Sequence, residues 1–300
     1  MKINKKYLIV LVGPTASGKT KLSLDIANIY NSEIISADSR QFYKELEIGT
    51  AKPSSLELST AKHHFINNLS IHDDYSVGSY RVEVNSILNN YYKKNQYAIL
   101  VGGSGLFINV ICNGIDEIPK VSIDCRNEIR DYYKSNGIAS LRKLLKKYDI
   151  KHYQTIDLNN PQRLMRALEV CIYTKNPFSS FLKKNKKKNI FNTIKIGLRP
   201  SKDVLYNNIN MRVDKMIEDG LIEEALRLYS FRDLNSLQTV GYKELFEFFD
   251  NKISKEEAIE LIKRNTRRYA KRQMTWFKRD SEIKWFDKID DSIFQFLKKY

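Results

Sequence analysis

Gly13-Pro14-Thr15-Ala16-Ser17-Gly18-Lys19-Thr20 has the residue types and spacing of a phosphate-binding loop. Gly13 and Gly18 permit a backbone bend that gathers N–H groups into a bowl. A helix N-terminus behind the bowl favours an anion. Lys19 adds a full positive charge, and the Thr20 hydroxyl can hold Mg²⁺. A second chemical group is Asp38, a carboxylate suited either to general-base work or to an outer position on the same cation. A third stretch, Gly102-Gly103-Ser104-Gly105, stands where a nucleotide hydrolase carries an aspartate for Mg²⁺ and water, which argues against ATP hydrolysis as the main activity. His63-His64 resembles half a metal site, but no third ligand sits at a usual spacing. Cys112, Cys125 and Cys171 are too few and too scattered for a disulfide framework or a zinc site.

These groups need elements to hold them. Tyr7 to Val12 is an apolar run that feeds the loop, and Leu22, Ile26 and Ile29 give the helical spacing behind it, from Lys19 to about Tyr30. Ile34 to Ser36 reads as a short strand with Asp38 just past its carboxyl end, where ligands collect in open α/β sheets. His63 to Phe65 reads as another. Ser76 caps a helix expected to run to about Lys94, and Tyr97 to Val101 is a fully apolar strand expected beside the loop strand. From 114 to 191 glycine becomes scarce and the spacing turns helical. The expected organisation is therefore an α/β parallel-sheet core of the P-loop type, 1–113 with 192–300, carrying an inserted helical lobe at 114–191. Within the lobe, Ile129, Tyr132 and Tyr133 mark one helix and Leu141, Leu144, Leu145 and Tyr148 a second. Asn160-Pro161 starts a third, as cap and first residue. Asn192 to Leu198 returns to the sheet, a helix follows from about Leu205 to Gly220, and Gln238-Thr239-Val240-Gly241 turns into another. A long final helix carries Lys263, Arg264, Arg267, Arg268, Lys271 and Arg272 without an acid, with Ile262, Tyr269 and Trp276 on its docking face.

The net charge of +16 asks for a polyanionic partner. Five lysines in the six positions from Lys183 to Lys188 suit non-specific phosphate attraction by a solvated loop. No apolar run approaches the roughly 18 residues of a membrane span. The basic and apolar N-terminus superficially mimics a signal peptide, yet cleavage there would destroy the phosphate loop, so a reducing cytoplasm is the expected compartment.

Together the motifs resemble the tRNA dimethylallyltransferases, also called tRNA isopentenyltransferases. The resemblance is carried by the phosphate loop, Ile35-Ser-Ala-Asp-Ser-Arg-Gln-Phe-Tyr43, Ile48-Gly-Thr-Ala-Lys-Pro53, Val101-Gly-Gly-Ser-Gly-Leu-Phe107, Asn160-Pro-Gln-Arg-Leu-Met-Arg-Ala-Leu-Glu-Val170, Gln238-Thr-Val-Gly-Tyr-Lys-Glu-Leu245 and Arg264-Asn-Thr-Arg-Arg-Tyr-Ala-Lys-Arg-Gln-Met-Thr-Trp-Phe277. It spans nearly the whole chain. It implies transfer of a dimethylallyl group from its diphosphate to N6 of the adenosine 3′ of the anticodon, in tRNAs reading codons that begin with U, by a monomer using Mg²⁺. By position it implies that Arg212 faces the diphosphate; a surface salt bridge to Glu218 or Asp219 is the competing role. It implies that Ser104, where the family has threonine, orients substrate, and it leaves Phe107 without the family's tyrosine hydroxyl. It implies tRNA contacts at Asp38, Ser39, Arg40 and Gln41, at Ser104 and Arg126, and at Gln162, Arg163, Leu164, Met165 and Arg166. A flipped-out base and an RNA loop clamped between lobe and core follow. Three other functions compete: prenylation of free adenine nucleotides, a P-loop kinase or NTPase, and a silent RNA-binding protein.

Overall fold

The apolar run Tyr7–Val12 forms β1 with every side chain buried. A strand buried on both faces needs cover on both, and the period of two divides its residues between two cores. Leu8, Val10 and Val12 join Tyr80, Val84, Leu88 and Ile108 on one face, while Tyr7, Ile9 and Leu11 join Leu22, Ile26, Ile293 and Leu297 on the other. The computed structural model describes residues 5–182 and 189–300; the Lys183 to Lys188 run lies outside the described residues.

Six parallel strands make the sheet: β1, β2 (Ile34–Ser36), β3 (His63–His64), β4 (Tyr97–Val101), β5 (Asn192–Leu198) and β6 (Lys284–Phe286), in the order β3-β2-β4-β1-β5-β6. β1 lies between β4 and β5, with Leu11 opposite Val101 and Ile196. β2 neighbours β4, with Ser36 opposite Val101. The carboxyl ends of β1, β4 and β2 are therefore side by side, and the phosphate loop, Gly102–Ser104 and Asp38 leave from one edge.

The helices are α1 (Lys19–Tyr30), α2 (Ser55–Thr60), α3 (Val77–Tyr91), α4 (Gly105–Asn113), α5 (Ile123–Tyr148), α6 (Ile150–Tyr153), α7 (Pro161–Thr174), α8 (Lys202–Glu218), α9 (Leu221–Arg227), α10 (Tyr242–Phe249), α11 (Lys255–Phe277) and α12 (Asp291–Leu297). Two compact units result, Met1–Cys112 with Lys188–Tyr300, and Asn113–Lys187. The second begins and ends earlier than the 114–191 expected, for a physical reason at its far end. Asn189 donates to the carbonyls of Ile111 and Cys112, and Phe191 packs with Tyr92 in the sheet core. α3 stops short of Lys94, and α4, β6 and α12 were not expected from the sequence.

In the second unit, the two helices expected around Ile129 and Leu145 are both present, sharing the label α5 and separated by a kink at Gly137, whose φ of +70° an L side chain rarely adopts. Leu141 and Leu145 meet Leu164 and Leu168 of α7 in its core. Asn160 Oδ1 accepts the Arg163 N–H at 3.1 Å, and Pro161 occupies the first helical position.

Candidate active site

The loop after β1 bends through three residues with positive φ, Gly13, Ala16 and Gly18. Gly13 is needed for space as well, since a Cβ there would meet the Leu198 carbonyl oxygen at 2.7 Å. Gly18 enters α1 in the left-handed region and supplies no side-chain cap, which leaves the first-turn amides open to an anion. Lys19 Nζ curls back and donates to the Pro14 carbonyl at 2.6 Å. Burial pulls its pKa from 10.5 down to about 7; the Asp38 charge opposes that pull and Arg212 adds to it. Ser17 Oγ, buried in the same loop, has no hydrogen-bond partner among the described residues, and a bound phosphate oxygen would satisfy it. One amide is withdrawn from the expected bowl: Thr15 N–H donates to Gln273 Oε1 at 2.9 Å.

Asp38 follows β2. Its Oδ1 accepts the Arg40 N–H at 3.2 Å, and its own N–H donates to Ser36 Oγ at 3.3 Å. Ser104 holds the next residue: its Oγ accepts the Ser39 N–H at 3.1 Å and lies 3.2 Å from Ser39 Oγ. The Ser104 N–H donates to the Ala37 carbonyl at 3.2 Å. Ser104 thus braces the Asp38 turn from β4. Phe107 packs edge-on against Phe42 and Tyr80, so the place of the family's tyrosine is filled by an apolar aromatic contact.

Arg212 comes from α8 and lines the same cleft as Lys19, Thr20 and Asp38, a space of about 420 Å³. Burial lowers its pKa and Asp38 counteracts this. The competing surface role is taken by a neighbour, because Lys215 reaches Asp219 at 2.6 Å. A second cleft of about 820 Å³ is lined by Arg40, Lys243, Arg264, Arg268, Tyr269 and Arg272 among others. Thr15, Asp38 and Arg212 line both clefts, so the carboxylate and the guanidinium stand where the two spaces meet.

Several expected RNA-facing side chains are differently employed. Leu164 and Met165 turn into the core of the second unit and are buried, which corrects their expected contact with RNA; an amphipathic helix must bury one stripe, and they are on it. Gln162 and Arg163 are exposed. Arg166 donates to Glu169 at 3.3 Å and to the Pro119 carbonyl at 3.1 Å. Arg126 sits half-buried in the first turns of α5. Arg40 donates to the carbonyls of Asn235 and Ser236, and the Gln41 amide donates to those of Thr50 and Ala51. On α11, Lys263 pairs with Asp214 at 2.7 Å and Arg267 donates to Asn210 at 2.6 Å, so both dock the helix on α8. Arg264, Arg268, Lys271 and Arg272 remain exposed.

Two positioning groups escaped the sequence. Gln273 was visible as a polar residue on the docking stripe of Ile262, Tyr269 and Trp276. Glu224 gave no such signal. Buried on α9, it accepts the N–H groups of Glu47, Ile48 and Gly49 at 3.1, 2.8 and 3.0 Å and the Tyr242 hydroxyl at 2.6 Å. This fixes the turn whose carbonyls hold Gln41. Glu224→Ala leaves four donors without that acceptor, and a loss of about 3 kcal/mol or more is expected from the urea midpoint.

The IPP transferase family model matches residues 41–280. The chain belongs to the IPP transferase family. It is 51% identical to a tRNA dimethylallyltransferase of Christiangramia forsetii over 97% of each chain, and 50% identical to one of Flavobacterium psychrophilum over 95% of each. Among solved structures it is similar to a tRNA isopentenylpyrophosphate transferase of Bacillus halodurans, with TM-score 0.71 and 37% identity over 98% of this chain and 95% of that one. It also superposes on a eukaryotic dimethylallyltransferase acting on tRNA, with TM-score 0.80 and 26% identity over 96% of this chain and 75% of that one. No helix among the described residues is long and apolar enough to cross a membrane.

Proposed function

We propose that this family member transfers a dimethylallyl group from dimethylallyl diphosphate to N6 of the adenosine 3′-adjacent to the anticodon in tRNAs reading codons that begin with U. The observation that carries this is the meeting of two clefts at Asp38 and Arg212. One cleft has the phosphate loop; the other is broad and basic, as an RNA loop requires and a mononucleotide does not. The activity named in the cited relatives supports it, and no cited relative is named as a kinase.

The allylic C–O bond breaks as the N6–C bond forms, leaving diphosphate and one proton to place. Lys19, Arg212 and the open amides of α1 meet the charge growing on the leaving diphosphate. Asp38 takes the N6 proton of a base flipped from its stack. Mg²⁺ fits the residues present. Among the described residues no group of three or more His, Cys, Asp or Glu could cage a metal, but Thr20 offers a hydroxyl beside a phosphate loop, and Mg²⁺ is commonly held by few side chains plus substrate oxygens. Bound there, it would add positive charge to the diphosphate. Action as a monomer in the cytoplasm completes the proposal.

Incubation of wild-type protein with dimethylallyl diphosphate and unmodified tRNA, followed by nucleoside mass spectrometry, is expected to yield N6-dimethylallyladenosine. Transfer to AMP but not tRNA would overturn the reading. A pH dependence is also expected. Lys19 binds an anion only when protonated, so affinity for inorganic diphosphate, corrected for the ligand's own ionisation, falls up to tenfold per pH unit above about 7. Metal-free calorimetry between pH 6 and 9 measures this.

A further inference from the structure

We propose that Gln273 is a positioning residue that sets the spacing between the diphosphate loop and the Gly102–Ser104 turn. This role rests on the prenyl-transfer reaction proposed above. Gln273 is 5% exposed. Its Oε1 accepts the Thr15 N–H at 2.9 Å and its Nε2 donates to the Gly103 carbonyl at 3.0 Å. Thr15 follows β1 and Gly103 follows β4, so one side chain spans two loops that both line the cleft. A carboxamide presents a strong acceptor and a donor side by side; an ionised glutamate lacks the donor, and methionine lacks the donor and offers only a weak thioether acceptor.

The fit is close. A Cβ on Gly103 would come within 2.2 Å of Gln273 Nε2, and one on Gly105 within 2.2 Å of the Trp276 ring, three residues further along α11. α11 therefore grips the turn at two points. The link continues from Gly103 to Ser104, and from the Ser104 hydroxyl to Ser39 beside Asp38. Gln273 thus joins the leaving-group end of the cleft to the base end. It does so from the helix whose exposed Arg268 and Arg272 line the second cleft.

Two variants test this. Gln273→Met keeps length and removes both hydrogen bonds; Gly103→Ala displaces the amide without altering α11. Each is expected to raise the dissociation constant for inorganic diphosphate about tenfold by calorimetry. Each should also raise KM for dimethylallyl diphosphate by a similar factor and leave KM for tRNA within twofold. The double variant is expected to be no worse than the more affected single, because both substitutions disrupt the same Gln273–Gly103 contact. A merely structural glutamine would lower the melting temperature or the active fraction at unchanged KM, and that result, or additive penalties, overturns the proposal. If Gln273→Met does not fold, Gly103→Ala decides alone. The calorimetric reading needs no tRNA transfer, so absence of product with the wild type would overturn the reaction while leaving this role separately measured.

Discussion

Asp38→Asn lowers the single-turnover rate of prenyl transfer by about 10²–10⁴-fold while tRNA affinity stays within about threefold. The asparagine keeps the Oδ1 acceptor for the Arg40 N–H and so keeps the turn that Ser104 braces. What it loses is the ability to take a proton from N6, a group too weakly nucleophilic to attack while it keeps both hydrogens. The charge is lost as well, and Asp38 offsets the positive charge of Lys19 and Arg212. These effects separate with metal. If Asp38 acts chiefly as an outer cation ligand, raised Mg²⁺ restores the rate of the variant; if it is the base, no Mg²⁺ concentration does. A rate within threefold of wild type removes Asp38 from both roles.

Lys19→Met lowers kcat by about 10²–10³-fold and makes the folded protein more stable. Lys19 opens α1, where the uncapped first-turn amides favour an anion, and the Pro14 carbonyl holds its Nζ on the same loop, so under the proposed reaction it is the charge nearest to the leaving diphosphate in sequence. The same burial makes it costly. Its folded pKa of about 7 lies below the ordinary 10.5, so between these values the unfolded chain binds more protons than the folded one, and stability rises with pH. The penalty is full below about pH 7 and is relieved as pH climbs toward 10.5. The stabilisation from methionine should therefore be largest below pH 7 and shrink in alkaline buffer, as urea midpoints at pH 6 and pH 9 will record. Loss of activity with a gain in stability is the signature of a functional charge; a loss of both would identify Lys19 as structural.

Much of this site could be read from local sequence because its parts are local devices. A glycine loop between an apolar strand and a helix is shaped by residues within a few positions of it, and Asp38 two residues past a buried strand lands at the sheet edge where Gly13–Thr20 already lies. The inward turn of Leu164 was written in the helical period, which groups it with Leu168, Cys171 and Ile172; the resemblance, carried over as a block, assigned it and Met165 to RNA all the same. Lys263 and Arg267 show the opposite case. Their type suggested RNA, and only the position of Asp214 and Asn210 on α8 showed that they dock the helix.

The sequence by itself determined the parallel-sheet core, the helical character of the inserted stretch, the glycine loop between β1 and α1 and the place of Asp38 just past β2, because each depends on periodicity or on spacing within a few residues. The tertiary structure alone decided which groups share the cleft and what holds them. Arg212 and Asp38, 174 positions apart in sequence, line the same two clefts, Glu224 fixes the turn at Glu47 to Gly49, and Gln273 joins Thr15 to Gly103. Such partners are chosen by the packing of whole helices on the sheet, where hydrogen-bond reach is about 3 Å and chain distance carries no information.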